Sequence, residues 1–459
     1  MKRLAPLLLT SVILCPTKVT ASPGDAGDEV AIPYTEFHLA NGLRVIVAED
    51  HSTPVAAVNV WYHVGSGYEA PGRTGLAHLF EHLMFEGSAH VPEGDFDNWL
   101  ETAGGVNNGS TTNDRTNYYE IVPPGAVGLA LWLEADRMGG LLASVDQKKL
   151  DLQRKVVKNE RRQSYENRPY GQFELAAAAA LYPPEHPYHH PTIGSMDDLD
   201  AASLDDVRAF FRRYYNPQNA VVVVAGDVHT AEIKKLATRY FGWIPAGPKV
   251  ARPEAKPPAI AKTRYITLED QVTLPRVYLM WRTVKRYAAD DAAIDVLAEI
   301  LTRGKNSRLY ERLVYGAQIA QSVVAYNDSQ LLSGDLYLWI TGKKGVKLDR
   351  LEAAVMHEIE KLAAHPPTKD ELARAKNGIE TDLLSSLERV ARKADKLNEY
   401  LYFAGDPGYV AKDLARYRAV TAADVQRVAK AYLADRPRIV LSIVPEKARR
   451  LAATRKGKR

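Results

Sequence analysis

Cysteine is nearly absent from this chain: among 459 residues only Cys15 carries a thiol. That excludes a disulfide-stapled scaffold, and it means a metal site must be built from His, Asp or Glu. Without disulfides, stability must come from core burial, which a chain of this length can supply. Long apolar runs are scarce as well. The run from Leu4 to Cys15 is too short to cross a bilayer as a stable helix, so no stable membrane span is expected. It follows Met1-Lys2-Arg3 and precedes Val19-Thr20-Ala21, which together predict a secretory signal peptide over 1–21 and a periplasmic location. A lipidated Cys15 is the competing reading, but Leu14 is bulky where such a signal wants a small residue. An excess of one charge is missing too. The formal charge is +4, and Lys2, Arg3 and Lys18 supply most of it, so the remainder is close to neutral. That balance argues against a nucleic-acid partner. The basic stretch 447–459 reads as a solvated tail.

What is present is an internal repeat. Glu49-Asp50-His51-Ser52-Thr53-Pro54 precedes an apolar strand containing Trp61, and Glu269-Asp270-Gln271-Val272-Thr273-Leu274-Pro275 precedes one containing Trp281. Asp206-Val207, Tyr214 and the run Ala220 to Val224 recur at Asp424-Val425, Tyr432 and Arg438 to Ile443. Two matches at nearly one offset predict a duplicated unit. The fold expected is α+β: two tandem homologous domains, 34–245 and 263–446, each a mainly antiparallel sheet covered by helices. They are joined by the Pro-, Ala- and Lys-rich linker 246–262.

The densest chemistry lies in His78-Leu79-Phe80-Glu81-His82. On a helix, positions i and i+4 share a face, so both imidazoles can reach one metal ion while Glu81 flanks them. Two histidines, an open position and a carboxylate are the parts of a hydrolytic zinc site, in the order H-x-x-E-H. Thr74 is a candidate cap, Leu76, Leu79, Phe80 and Leu83 supply packing, and Gly87 is a candidate stop. A third ligand is needed from elsewhere. The stretch Ser144 to Arg162 reads as a helix with a capping box at Ser144 and Gln147 and a buried face of Leu150, Leu152, Val156 and Val157. Glu160 could project from that face or pair with an arginine at the surface, and spacing leaves both open.

On these residues the chain resembles the pitrilysin (insulinase-type) family of zinc metallopeptidases, which includes the mitochondrial processing peptidase. The resemblance runs from about Tyr34 to Pro445. It implies one zinc ion per chain held by His78, His82 and Glu160, with Glu81 as general base. It also implies that Gly104 to Thr112 forms a sheet edge near the zinc, with Asn108, Gly109, Ser110 and Thr111 as the place where an extended peptide adds as a strand; the residues alone read as a hairpin.

Two departures from the family pattern stand out. Many relatives have a second glutamate one heptad before the zinc glutamate, where this chain has Gln153. Self-sufficient relatives carry an Arg and a Tyr in the second half, positions that fall here on Val314 and Gln321, with Arg308, Tyr310 and Arg312 nearby. The expectation is a zinc-dependent endopeptidase acting on peptides or unfolded polypeptides. It would be the zinc-bearing subunit of a heterodimer whose homologous, zinc-less partner supplies the Arg/Tyr pair. The alternatives are that Arg308 or Arg312 does this work in a single chain or homodimer, or that the protein is a non-catalytic scaffold or peptide-binding subunit. His186, His189 and His190 lie among prolines and read as a surface loop. His63 reads as polar packing at a strand end, and Trp61, Trp132 and Trp281 as core.

Overall fold

The computed structural model describes residues 30–454; the expected signal peptide lies outside them. Five strands of the first half and one N-terminal addition form a six-stranded sheet. They are β1 (Thr35–His38), β2 (Arg44–Glu49), β3 (Ala56–Tyr62), β4 (Val106–Thr111), β5 (Thr116–Val122) and β6 (Ala220–Gly226), in the order β1-β2-β6-β3-β5-β4. The second half forms a five-stranded sheet from β7 (Arg264–Asp270), β8 (Arg276–Thr283), β9 (Ala320–Ser329), β10 (Gly334–Gly342) and β11 (Ile439–Pro445), in the order β7-β11-β8-β10-β9. Apart from β1 the two orders are the same. In each sheet one pair is parallel, β2 with β6 and β7 with β11, and the remaining pairs are antiparallel. Matching capping boxes, Ser203 with Asp206 and Thr421 with Asp424, open the helices that lead toward β6 and β11. The chain is thus an α+β duplication.

The halves do not cover themselves. Every residue of β3 and of β6 is buried, so both faces of the sheet need a partner layer. One face packs on helices of its own half. The other carries Ile46, Ala57, Val221 and Val223, and it is closed by Leu387, Val390, Ala394, Leu397 and Leu401 from the helix Val390–Ala404 and the residues before it, in the second half. The exchange is reciprocal. The helix Gln172–Leu181 leaves the first half and lays Phe173, Ala177 and Leu181 on Tyr278, Met280, Ile439 and Leu441 of the second sheet, with the Phe173 and Tyr278 rings stacked at 3.8 Å. Polar ties follow the same seam: Lys393 pairs with Asp50, Asp114 accepts the Leu331 N–H at 3.0 Å, and Arg282 donates to the Leu181 carbonyl at 2.7 Å. The segment 449–453, expected as part of a solvated tail, instead packs Leu451, Ala452 and Ala453 into the second core, and the Ala453 N–H reaches Ser442 Oγ.

Two helices position the histidine and glutamate side chains. The helix Leu76–Leu83 buries Leu76, Ala77, Leu79, Phe80 and Leu83 and leaves His78, Glu81 and His82 on its other side. Thr74 does not cap it. The N-cap is Gly75 at φ +86, and a Cβ there would strike the Ile193 carbonyl at 2.7 Å, so glycine is required. The Thr74 hydroxyl donates to Asp198 instead. The free N–H groups of Gly75 and Ala77 are taken by the Glu69 carboxylate at 2.9 and 2.6 Å, a cap from outside the helix. The helix stops at Met84, before Gly87.

The helix Gln147–Arg161 is capped by Asp146, which accepts the Lys149 N–H at 2.9 Å, and not by Ser144, whose hydroxyl is spent on the Gly87 and Leu141 carbonyls. Its buried residues are Leu150, Gln153 and Val157. Leu152 and Val156, expected inside, are 44% and 39% exposed. The buried stripe therefore runs 150, 153, 157 at helical spacing, and its next member is residue 160. A π-helical turn, Arg162–Glu166, follows at once, a feature often found beside functional groups.

Two expectations follow. Glu69 has a fully enclosed side chain, so Glu69→Ala leaves two helix N–H groups unpaired and should cost at least about 2 kcal/mol of stability, read as a lower urea midpoint. His63 lies in the seam with its ring 4.6 Å from that of Tyr402, and burial pushes its imidazole down to about 3. Above pH 6.5 both folded and unfolded chains hold it neutral. As pH falls from 6.5 toward 3, only the unfolded chain takes up the proton, so this residue destabilises the fold over that window. His63→Gln should lose that part of the acid sensitivity, seen as a smaller drop in urea midpoint between pH 7 and pH 5 than in the wild type.

Candidate active site

The two helices converge so that one carboxylate meets both imidazoles. Glu160 Oε2 lies 3.2 Å from His82 Nε2 and 3.7 Å from His78 Nε2, and the two rings stand edge to face with centroids 4.8 Å apart. One ligand atom from each of the three residues lies within 4.8 Å of the others. Burial pushes the His78 imidazole down to about 4, and the hydrogen bond with His82 holds the Glu160 carboxyl below its ordinary range. A neutral imidazole beside an ionised carboxylate is the protonation state a divalent cation requires. Two nitrogens and one oxygen, half-buried and converging, are a donor set that fits zinc.

Glu81 sits beside this group. Thr111 Oγ1 donates to its Oε2 at 2.5 Å, and burial raises its carboxyl above the ordinary glutamate range, with the Thr111 bond opposing. Gly109 allows the close approach: a Cβ there would lie 3.2 Å from Glu81 Cγ and 3.3 Å from both its Oε1 and the Tyr118 ring.

Gly109 and Thr111 belong to β4, which ends the first sheet and pairs only with β5 among the described residues. Side chains alternate along a strand, so Gly109 and Thr111 face Glu81 while Asn108 and Ser110 face away. The Gly109 N–H donates to its own neighbour, Asn108 Oδ1, at 2.7 Å. The Arg115 guanidinium braces the strand end by donating to the Ser110 carbonyl and hydroxyl, both at 2.7 Å. A cleft lies on either side. A cavity of about 430 Å³ between the halves is lined by Thr111, Arg115, Glu174, Tyr326 and Asp328. Another of about 890 Å³ runs along Asn108, Ser110, Asn117 and Tyr119 against Arg389 and Arg392.

The other sequence candidates are placed apart from this cluster. His186 is buried, not on the surface, and stacks on Tyr182 at 4.5 Å. His189 bonds the Tyr182 carbonyl and His190 the Pro191 carbonyl, so the three do not converge. Arg308 is clamped by Glu371 at 2.6 and 2.9 Å, and Arg312 by Glu358 at 2.6 Å, all within the second half. Gln153, standing where many relatives have a glutamate, donates to Glu86 Oε1 at 2.5 Å, and burial raises the Glu86 carboxyl. Glu69 and Glu86 carry no local signal, because neither shares a helix face or a motif with the groups it serves. Gln153 did carry a signal: its heptad spacing to Glu160 marks one helix face.

Comparison with known proteins identifies the family. Residues 44–183 match the insulinase family (peptidase family M16), and residues 201–379 match the peptidase M16 inactive domain. The zinc protease PqqE of Helicobacter pylori is 32% identical over 405 residues, covering 86% of this chain and 89% of that protein. The mitochondrial-processing peptidase subunit beta of Blastocladiella emersonii is 25% identical over 450 residues, 96% of this chain and 95% of that one. The crystal structure of a protease from Helicobacter pylori superposes with a TM-score of 0.85 at 29% identity, covering 91% of this chain and 100% of that chain. Duplicated sheets, matched halves and full-length similarity together place the chain in the pitrilysin/insulinase family of peptidases.

Proposed function

We propose that this protein is a zinc-dependent endopeptidase that hydrolyses peptides or unfolded polypeptides, with one zinc per chain held by His78, His82 and Glu160. The observation that carries the reading is the meeting of one carboxylate with two imidazoles beside a second carboxylate, Glu81, that faces the edge of a sheet. When bound, zinc supplies Lewis-acid chemistry, acidifying water and polarising the scissile carbonyl. The remaining work falls to the chain. An extended peptide adds to β4 along Asn108 to Thr111 by main-chain hydrogen bonds, which confers affinity with little sequence preference. The Gly109 N–H, held meanwhile by Asn108, becomes available to it. Glu81, made more basic than an exposed glutamate by burial and aimed by Thr111, accepts the proton of the attacking water and passes it to the leaving amine.

We further propose a heterodimer. Val314 and Gln321 occupy the register of the Arg/Tyr pair, and the arginines nearby are engaged by Glu371 and Glu358. A relative whose name marks it as one subunit of a processing peptidase supports a divided site. Export to the periplasm accounts for the apolar run Leu4 to Cys15. A non-catalytic role for the whole chain has less support, since the match to the inactive domain falls mainly on the half without the histidine motif.

Glu81→Gln should lower kcat on a quenched peptide by about 10²–10⁴-fold with zinc content unchanged by elemental analysis. His78→Ala should lose both zinc and turnover. Hydrolysis surviving in Glu81→Gln rejects the assignment of the base. Native protein purified without overexpression should carry with it a similar chain lacking the histidine motif; monomers with full activity would rule out the divided site.

A further inference from the structure

At the opposite end of the first sheet from Thr111, a second group of metal-binding side chains comes together. Glu49 ends β2 and lies level with Gly226 of β6 and Ala56 of β3. Thr111 lies level with Thr116 and Tyr62. The two ends are therefore about 20 Å apart along the strands. Here the turn after β2 carries His51, and the turn after β6 carries Asp227 and His229. Backbone hydrogen bonds lock both turns: the Asp50 N–H to the Gly226 carbonyl at 2.8 Å and the Asp227 N–H to the Val55 carbonyl at 3.0 Å.

One ligand atom from each of Glu49, His51 and His229 lies within 4.8 Å of the others. His51 Nε2 is 3.7 Å from Glu49 Oε2, and the two imidazole centroids are 5.1 Å apart. What separates this group from a chance surface cluster is how the far sides of His51 and Glu49 are held. His51 Nδ1 is bonded to Asp227 Oδ1 at 2.6 Å, which leaves Nε2 facing the group, the carboxylate–histidine arrangement that orients metal ligands. Glu49 Oε1 accepts the Thr230 N–H at 2.7 Å, which leaves Oε2 facing inward. His229 is itself the N-cap residue of the helix Thr230–Phe241, so its backbone is fixed by the same helix end.

We propose that Glu49, His51 and His229 form a second, solvent-facing site for a divalent transition metal of the zinc class, with Asp227 as the positioning residue for His51. Two imidazoles and one carboxylate suit zinc better than calcium or magnesium, which want oxygen donors throughout. All three ligands are exposed, so the ion would remain open to solvent. It would clip the β2–β3 turn to the start of the helix Thr230–Phe241. The residue between two of its ligands, Asp50, is the one that pairs with Lys393 of the second half, so the ion would sit beside a tie between the halves.

The test is a zinc count on the full chain. Protein stripped of metal, then dialysed against zinc chloride, should hold two zinc ions per chain by elemental analysis. His51→Ala and His229→Ala should each hold one and keep full peptide hydrolysis. His82→Ala should also hold one, and His51→Ala/His82→Ala none. Asp227→Asn should weaken the outer site 10–100-fold in competition with a zinc-binding dye. Should His229→Ala disturb its helix, seen as a lower melting temperature of the metal-free chain, His51→Gln gives the same reading. An unchanged zinc count in the His51 and His229 variants overturns the proposal, as does a wild-type count of one that His51→Ala retains. Failure of the first site looks different: the wild type would then hold one ion, which His82→Ala keeps and His51→Ala loses.

Discussion

Both sheets of this protein are apolar on both faces, and neither half owns enough helix to cover its own. That constraint governs the rest. Strands such as Ala56–Tyr62 and Ala220–Gly226, buried at every position, cannot face water at a cost of about 25 cal/mol per Å² of apolar surface. The cover comes from across the duplication: Val390–Ala404 on the first sheet, Gln172–Leu181 on the second. The seam this creates carries Asp114, His63 and Asp50, and it walls the cavity beside β4. The sheet on which the histidine helix rests is therefore packed on both faces, by its own half on one and by the second half on the other.

On that floor the active group is assembled from two helices whose ends are fixed from a distance. Glu69 caps the histidine helix across a loop, and Asp198 holds Thr74. The Gln153 side chain, one heptad before Glu160 on the same helix, is held by Glu86. Each of these side chains fixes a backbone or a rotamer and leaves the imidazoles and the inner carboxylate free. Burial then sets protonation, lowering the His78 imidazole and raising the Glu81 carboxyl. One environment thus keeps an imidazole unprotonated and makes the neighbouring carboxylate readier to take up a proton.

Much of this was legible in the sequence. The duplication, the α+β class and the histidine motif depend on local pattern and spacing, which a single chain displays. The glutamate helix was legible in outline but not in orientation. Choosing its buried face by hydrophobicity selected Leu152 and Val156, which are exposed, over Gln153, which is inside. A polar residue can be buried when a partner such as Glu86 waits for it, and that partner lies far away in sequence. The caps were misplaced for a similar reason. Thr74 and Ser144 are good capping residues with better offers elsewhere, while Glu69 and Asp146 were in position. The exchange of covering helices left no local trace, because an amphipathic helix looks the same whichever sheet it will meet.

The exchanged helices also set an order of events while the chain is being made. The first sheet is complete once β6 ends at Gly226, but the layer that closes its second face begins near Leu387. At ribosomal speeds of 5–20 residues per second, the intervening segment takes roughly 10–30 s to synthesise. Through that interval a folded N-terminal half would present a bare apolar sheet, an adhesive surface for other nascent chains. A protein so built gains from being kept unfolded until its last helices exist, by a holding chaperone or by passage through a translocation pore.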